Sequence, residues 1–173
     1  MVLEPPERHD LELVPLTVAV LEALLRGDLD AASTGAGAPL TPFLVEQRWL
    51  WRIRLHQVAA DPGSLAWIAR AALDRVSGVV VGHVGFHGPP DERGMVEVAY
   101  AVDPVWRRQG YATAMLRAAL AWAAGCPGVS VVRASVSPDN PASLATLRPF
   151  GFAHVGEQYD EVDGVELLFE RPV

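Results

Sequence analysis

A chain of 173 residues, half of them hydrophobic, can bury one full-sized core and needs no second domain, so 1–173 is read as a single domain. The net charge of −7 excludes a general nucleic-acid binder, which needs a basic face for phosphates, and suits a cationic partner. The lone Cys126 rules out an internal disulfide, there is no apolar run of about 20 residues for a membrane span, and residues 1–8 lack the cationic start and apolar core of a leader. The expectation is a cytoplasmic protein with neither a nucleic-acid nor a membrane partner.

Glu12 to Val14 reads as a first strand, and Leu16 to Arg26 has apolar residues at helical spacing before Gly27 and Asp28 stop it. Residues 27–40 are small and flexible in composition, a mobile segment or a flap over an acceptor site. Thr41-Pro42 starts a helix whose body, Phe43 to Val58, carries Leu44, Trp51, Leu55 and Val58 on one stripe and ends at Asp61-Pro-Gly. Strands follow over Leu65 to Leu73 and Gly78 to Phe86, joined by a hairpin, and then over Met95 to Val102. Gly110 to Ala124 is a helix with an apolar face of Met115, Leu116, Ala119, Leu120 and Ala123. Val129 to Val136 is a β-branched strand, Asn140-Pro141 opens a helix, and Phe152 to Val155 and Val165 to Glu170 close the chain as paired strands. A meander that runs into a βαβ unit predicts an α+β fold: a mixed, mostly antiparallel sheet of six to seven strands with about four helices.

The stretch from Tyr100 to Leu120 says most about chemistry. A strand enters a short loop bearing Arg107, Arg108, Gln109 and Gly110, and the loop opens into the helix at Tyr111, Ala112 and Thr113. Unpaired N–H groups at a helix start, a glycine that lets backbone approach closely, and two arginines suit a pyrophosphate. The same pattern describes an ordinary strand-to-helix turn with a surface arginine pair. All 14 basic residues are arginines, which excludes Schiff-base lysine chemistry and a lysine-bearing phosphate loop. The doubly wound dinucleotide fold fits poorly, because its glycine fingerprint follows the first strand and not a meander.

Arg107-x-x-Gly110-x-Ala112 after the strand Val96 to Val102, with Asn140-Pro-Ala-Ser143 and Gly151-Phe152 further on, resembles the GNAT superfamily of N-acetyltransferases. The resemblance covers the chain from about Ser64 onward and is strongest to the branch that acetylates ribosomal-protein N-termini. It implies acetyl-CoA as co-substrate, no metal, and a pyrophosphate held by Arg107, Arg108, Gln109, Gly110, Tyr111, Ala112 and Thr113. It further implies that the strand ending at Val102 splays from its neighbour, with a backbone N–H near Val102 polarising the acetyl carbonyl. Asn140, a helix N-cap in its own right, would touch the pantetheine or thiol region, and Ser143 could protonate the departing thiolate.

Glu97 stands in an otherwise apolar strand, where a carboxylate is paired, exposed or functional. The resemblance makes it the base that takes a proton from the amine through water. Many relatives carry a tyrosine acid four residues before the Gly-Phe pair; Leu147 stands there, which leaves Ser143, Tyr100 or solvent as proton source. His83 and His87 lie on or just after a strand next to that of Glu97, so either could be a second proton acceptor, although a structural role is their default; Trp49, Trp51 and Trp67 could line an acceptor pocket, with core packing the default for most of them. Trp106 is expected to pack under the phosphate loop. The function implied is N-acetyl transfer to a primary amine, cationic in character, by direct attack in a ternary complex. The alternative is a non-catalytic acyl-CoA sensor on the same scaffold. A homodimer through the last strands is a further expectation.

Overall fold

The computed structural model describes residues 9–173; the leader reading of residues 1–8 lies outside them. Seven strands form one sheet: β1 (Leu11–Pro15), β2 (Arg70–Asp74), β3 (Val79–Phe86), β4 (Met95–Val102), β5 (Val131–Val136), β6 (Ala153–Asp160) and β7 (Gly164–Pro172). Their order is β1-β2-β3-β4-β5-β7-β6, antiparallel throughout except for the parallel pair β4–β5. Among the described residues six α-helices accompany them: α1 (Val18–Arg26), α2 (Leu29–Ala36), α3 (Pro42–Glu46), α4 (Arg48–Ala60), α5 (Tyr111–Ala124) and α6 (Pro141–Leu147). Among the described residues, no helix is long and apolar enough to cross a membrane.

Each face of the sheet buries its own core. Ala71 and Ala72, adjacent on β2, go to different clusters, as the two-residue period of a strand requires. One core lies under α5 and gathers Phe86, Val96, Met115, Leu116, Val132, Leu147 and Phe150; the other lies under α1 to α4 and gathers Leu21, Leu24, Leu44, Trp51 and Ile68.

Several expectations about the elements are corrected. Residues 29–36 are the helix α2 and not a loop or flap: Asp28 caps it by accepting the Ala31 N–H, Gly37 ends it at φ +65°, and Ala32 is fully buried. Small residues there permit close packing on α1, where a Cβ on Gly35 would meet Val20 at 3.0 Å, tighter than ordinary contact. The single helix expected over 43–58 is two, broken at Gln47, because the indole of Trp51 donates to the Leu44 carbonyl that a continuous helix would bond internally. These two changes raise the helix count from about four to six. The strand expected from Leu65 begins only at Arg70; before it, Pro62–Ala66 makes a tight turn in which Asp61 accepts from the Gly63 N–H and the Ser64 hydroxyl. The last two strands form a longer hairpin than expected, with β7 interior and β6 at the free edge.

His83 is buried on β3, its ring 6.0 Å from Phe43 and 5.2 Å from Trp51, and its Nε2 has no hydrogen-bond partner among the described residues. This removes it from the candidate proton acceptors. Burial, helped by the nearby Arg54 charge, lowers its pKa from 6.5 to about 4. The unfolded chain therefore binds a proton that the folded one refuses between those values. Stability contributed by neutral His83 is complete above pH 6.5 and is lost as pH falls toward 4, about 3 kcal/mol in all. His83→Met should flatten the denaturant midpoint between pH 6.5 and 4 relative to the parent; an identical pH dependence would refute the assignment.

Candidate active site

The sheet opens at its centre. β4 and β5 pair only at Met95↔Val131, Val96↔Val132 and Glu97↔Arg133; beyond Glu97, β4 stays on β3 as far as Val102 while β5 turns to β7 as far as Val136. The splay implied by the resemblance is thus present. Backbone groups alternate sides along a strand; Glu97 O accepts the His87 N–H just past β3, and the Asp103 N–H donates to Val81 O of β3. The N–H groups of Tyr100 and Val102, beyond the last pair with β5, therefore face the gap that β5 has left.

One cavity of about 650 Å³ runs along this gap to the start of α5, and Tyr100, Val102, Arg107, Arg108 and Gly110 to Thr113 are among its walls. The loop into α5 has two residues in the left-handed region, Arg108 at φ +59° and Gly110 at φ +92°. Such a backbone turns successive N–H groups toward a common anion, and strain at a non-glycine residue is characteristic of a functional loop. No side chain caps α5, and the Ala114 N–H makes the bond back to Gly110 O, so the N–H groups of Tyr111, Ala112 and Thr113 are the orphan donors of the helix start. These donors and the adjoining arginines fit a pyrophosphate.

The loop residues divide their work. Arg107 Nε donates to the Val102 carbonyl at 3.3 Å, tying the loop to the end of β4. Gln109 turns its side chain to the Val105 carbonyl, so only its backbone serves the loop. The Tyr111 hydroxyl points away from the gap and donates to Asp74 Oδ2 at 2.8 Å; burial first, then Asp74, raises its pKa to about 12. Trp106 packs edge-on against the Tyr111 ring, as expected of a residue under the loop.

A second cavity of about 410 Å³ adjoins the first, and Tyr100, Asn140 and Ser143 line both. It contains Glu97, His87, Ser135, Gln158, Asp160, Asp163 and Glu166. Ser135 donates to Glu97 Oε1 at 2.6 Å, and His87 Nδ1 lies 3.7 Å from the same oxygen. Burial lowers the His87 pKa, and the Arg54 charge adds to this, against the opposing pull of Glu97 and Glu166. The resulting neutral imidazole can accept a proton. Arg54 and Gln57 of α4 hold the His87 carbonyl, fixing the loop that carries it.

Asn140 caps α6 by accepting the Ser143 N–H at 3.1 Å. Burial raises the Tyr100 pKa, against the opposing pull of the Thr146 and Ser143 hydroxyls of α6 beside it. Leu147 is buried in the core and faces away from the site. The set left unmentioned by sequence reasoning is Ser135 with the β6–β7 hairpin acids; Ser135 alternates with the apolar Ala134 and Val136 on β5, the one signal that could have shown it facing Glu97. Trp51 is in the core, Trp67 packs on Phe86 and Trp122, and Trp49 is exposed on α4, so none of the three enters either cavity's wall.

Comparison with known proteins agrees with this geometry. Residues 2–153 match the model of the acetyltransferase (GNAT) domain family. An uncharacterized N-acetyltransferase, YjdG of Bacillus subtilis, is 38% identical over 73 residues, 42% of this chain and 44% of that relative, so the match spans under half its length. A putative GnaT-family acetyltransferase of Bordetella pertussis superposes with a TM-score of 0.63 at 25% identity, covering 96% of this chain and 98% of that one. RimJ of Mycobacterium smegmatis, solved in complex with CoA-disulfide, shares the fold with a TM-score of 0.64 at 18% identity, covering 94% and 85% of the two chains. With a family model that covers most of its length and the family's splayed sheet, the chain belongs to the GNAT acetyltransferase family.

Proposed function

We propose that this protein transfers an acetyl group from acetyl-CoA to a cationic primary amine by direct attack in a ternary complex. The observation that supports this reading is the meeting of two cavities at the β4/β5 gap: one ends in the orphan donors of α5, the other is ringed by carboxylates, and Tyr100, Asn140 and Ser143 line both. In this reading Arg107, Arg108 and the N–H groups from Gly110 to Thr113 hold the pyrophosphate. The pantetheine arm lies in the splay beside Asn140.

A protonated lysine-like amine costs about 5 kcal/mol to deprotonate at pH 7, an α-amine about 1. Glu97, oriented by Ser135 and adjoining neutral His87, takes that proton directly or through one water. The nitrogen then forms a bond to the acetyl carbon as the carbon–sulfur bond breaks, and the Val102 N–H faces the oxygen that gains charge. Tyr100 and Ser143 supply the hydrogen bond and proton to the leaving sulfur. Cys126 plays no part; it is half-buried after α5, and no acyl-enzyme is invoked.

Cationic acceptors are favoured because the acceptor cavity collects Glu97, Asp160, Asp163 and Glu166. Asp160 is occupied by the N–H groups of Val162 and Asp163, which hold its pKa below the usual carboxylate range, and so serves the hairpin. Asp163 and Glu166, the latter accepting one hydrogen bond from Gln158 Nε2 at 2.8 Å, are the charges left to act on substrate. Mass spectrometry with acetyl-CoA against protein N-terminal peptides, polyamines, amino sugars and amino acids tests the function. A product from at least one amine is expected; CoA binding without any product would instead support a sensor. Asp163→Asn with Glu166→Gln should raise the amine KM about 3- to 10-fold with kcat held, and an unchanged KM would remove these charges from recognition.

A further inference from the structure

We propose that His9, Asp74 and Tyr111 form a brace behind the pyrophosphate loop, with His9 a positioning residue for the donor half of the site. The proposal rests on the reading above, in which this loop holds the pyrophosphate.

His9 precedes β1 and lies 100 residues from Gln109 in sequence, yet its Nε2 sits 2.8 Å from the Gln109 carbonyl oxygen. A carbonyl only accepts, so Nε2 carries the hydrogen and donates. The imidazole stacks on the Tyr111 ring with centroids 3.9 Å apart and planes 24° from parallel. On its other side, Nδ1 lies 3.7 Å from Asp74 Oδ2, the oxygen that accepts the Tyr111 hydroxyl. Asp74 ends β2, is 4% exposed, and uses its other oxygen to accept the Val76 and Ser77 N–H groups of the β2–β3 hairpin. Burial pushes its carboxyl pKa up, but the Tyr111, Val76 and Ser77 bonds and His9 outweigh that and hold it low. The segment before β1, the end of β2 and the start of α5 are thereby joined at one point.

The peptide plane explains why this matters for the donor. The Gln109 carbonyl and the Gly110 N–H belong to one planar group and point in opposite directions. Holding the carbonyl from behind aims the Gly110 N–H forward, into the cavity that Gly110 lines. A Cβ built on Gly110 would meet His9 at 3.6 Å, and His9 lines a separate cavity with β1 and the outer side of α5, not the one proposed for the ligand. With Arg108 and Gly110 both in left-handed conformations, the loop has soft alternatives, and the brace selects one. Simple packing would be served as well by an apolar ring; here both ring nitrogens face polar partners.

The test compares CoA, by calorimetry, with pantetheine, which lacks the pyrophosphate, by NMR titration. His9→Ala and the volume-preserving His9→Phe should each bind CoA about tenfold more weakly while the pantetheine affinity stays within twofold of the parent, and His9→Gln, whose amide N–H can reach the Gln109 carbonyl, should recover most of the loss. In steady-state assays the acetyl-CoA KM should rise with kcat held. Unchanged CoA affinity in both His9→Ala and His9→Phe overturns the brace, as does equal weakening of CoA and pantetheine, which would mean a merely structural role. A parent protein that binds no CoA would overturn the donor reading and the brace with it, an outcome distinct from either.

Discussion

Gly110→Pro abolishes micromolar CoA binding, a loss of at least about 100-fold, while the protein still folds. Proline holds φ near −65°, whereas Gly110 sits at +92°, so the peptide planes on either side must turn. The ring also deletes the N–H that the loop directs into the cavity, and the neighbouring Gln109 backbone is restricted in turn. Because Gly110 is exposed and lies at the boundary of α5, where a proline is sterically acceptable to the helix, the two hydrophobic cores remain as they are. Gly110→Ala separates the causes. It keeps the N–H, meets His9 only at ordinary contact distance, and incurs the left-handed penalty of about 1–2 kcal/mol, so its binding should fall about tenfold. Calorimetry with CoA and a thermal melt on each variant decide the matter; retained micromolar binding by Gly110→Pro would remove the loop as the pyrophosphate site.

Glu97→Gln lowers kcat by about 10²- to 10³-fold with little change in acetyl-CoA KM. The substitution keeps the shape of the side chain and an oxygen to accept the Ser135 hydroxyl, so it removes basicity and little else. Glu97 and His87 are near enough that the acid limb of the parent's kcat/KM profile belongs to the pair and not to one residue. The lowered His87 pKa has a definite sign: His87 gains its proton only below the ordinary histidine range, so the pair can accept the amine's proton at neutral pH and loses that ability as pH falls. In Glu97→Gln this limb should shift, since a carboxylate that favours the imidazolium has gone. An unchanged profile would eliminate Glu97 as the base and leave His87 alone. The cost of removing the base should be greater for a lysine-like amine than for an α-amine, because about 5 rather than 1 kcal/mol of deprotonation is at stake at pH 7.

Periodicity and punctuation made most elements legible. The α5 face of Met115, Leu116, Ala119, Leu120 and Ala123 is buried as expected, and the meander from β2 to β4 follows the expected order. The misreadings have local physical causes. Residues 29–36 carry almost no large apolar side chains, so periodicity was silent, while Asp28 and Gly37 held the cap signals that define α2. The break at Gln47 depends on Trp51 reaching back to Leu44, a side-chain bond that spacing does not reveal. The same holds for His83 and His87. Near neighbours in sequence, they end in opposite situations, one sealed between Phe43 and Trp51 and the other beside Glu97.

By itself, the sequence marked the loop and helix start proposed for the donor, because such a feature is local: a strand, a glycine loop and the next turn of helix lie within some twenty residues, and backbone donors need no distant partner. Only the tertiary structure decided the rest. The splay of β4 from β5, the placing of Ser135 against Glu97, the hairpin carboxylates around the acceptor cavity and the His9 contact with Gln109 each join segments from about 25 to 100 residues apart. Such contacts follow from how the strands are ordered and where they part, which no stretch of residues encodes alone.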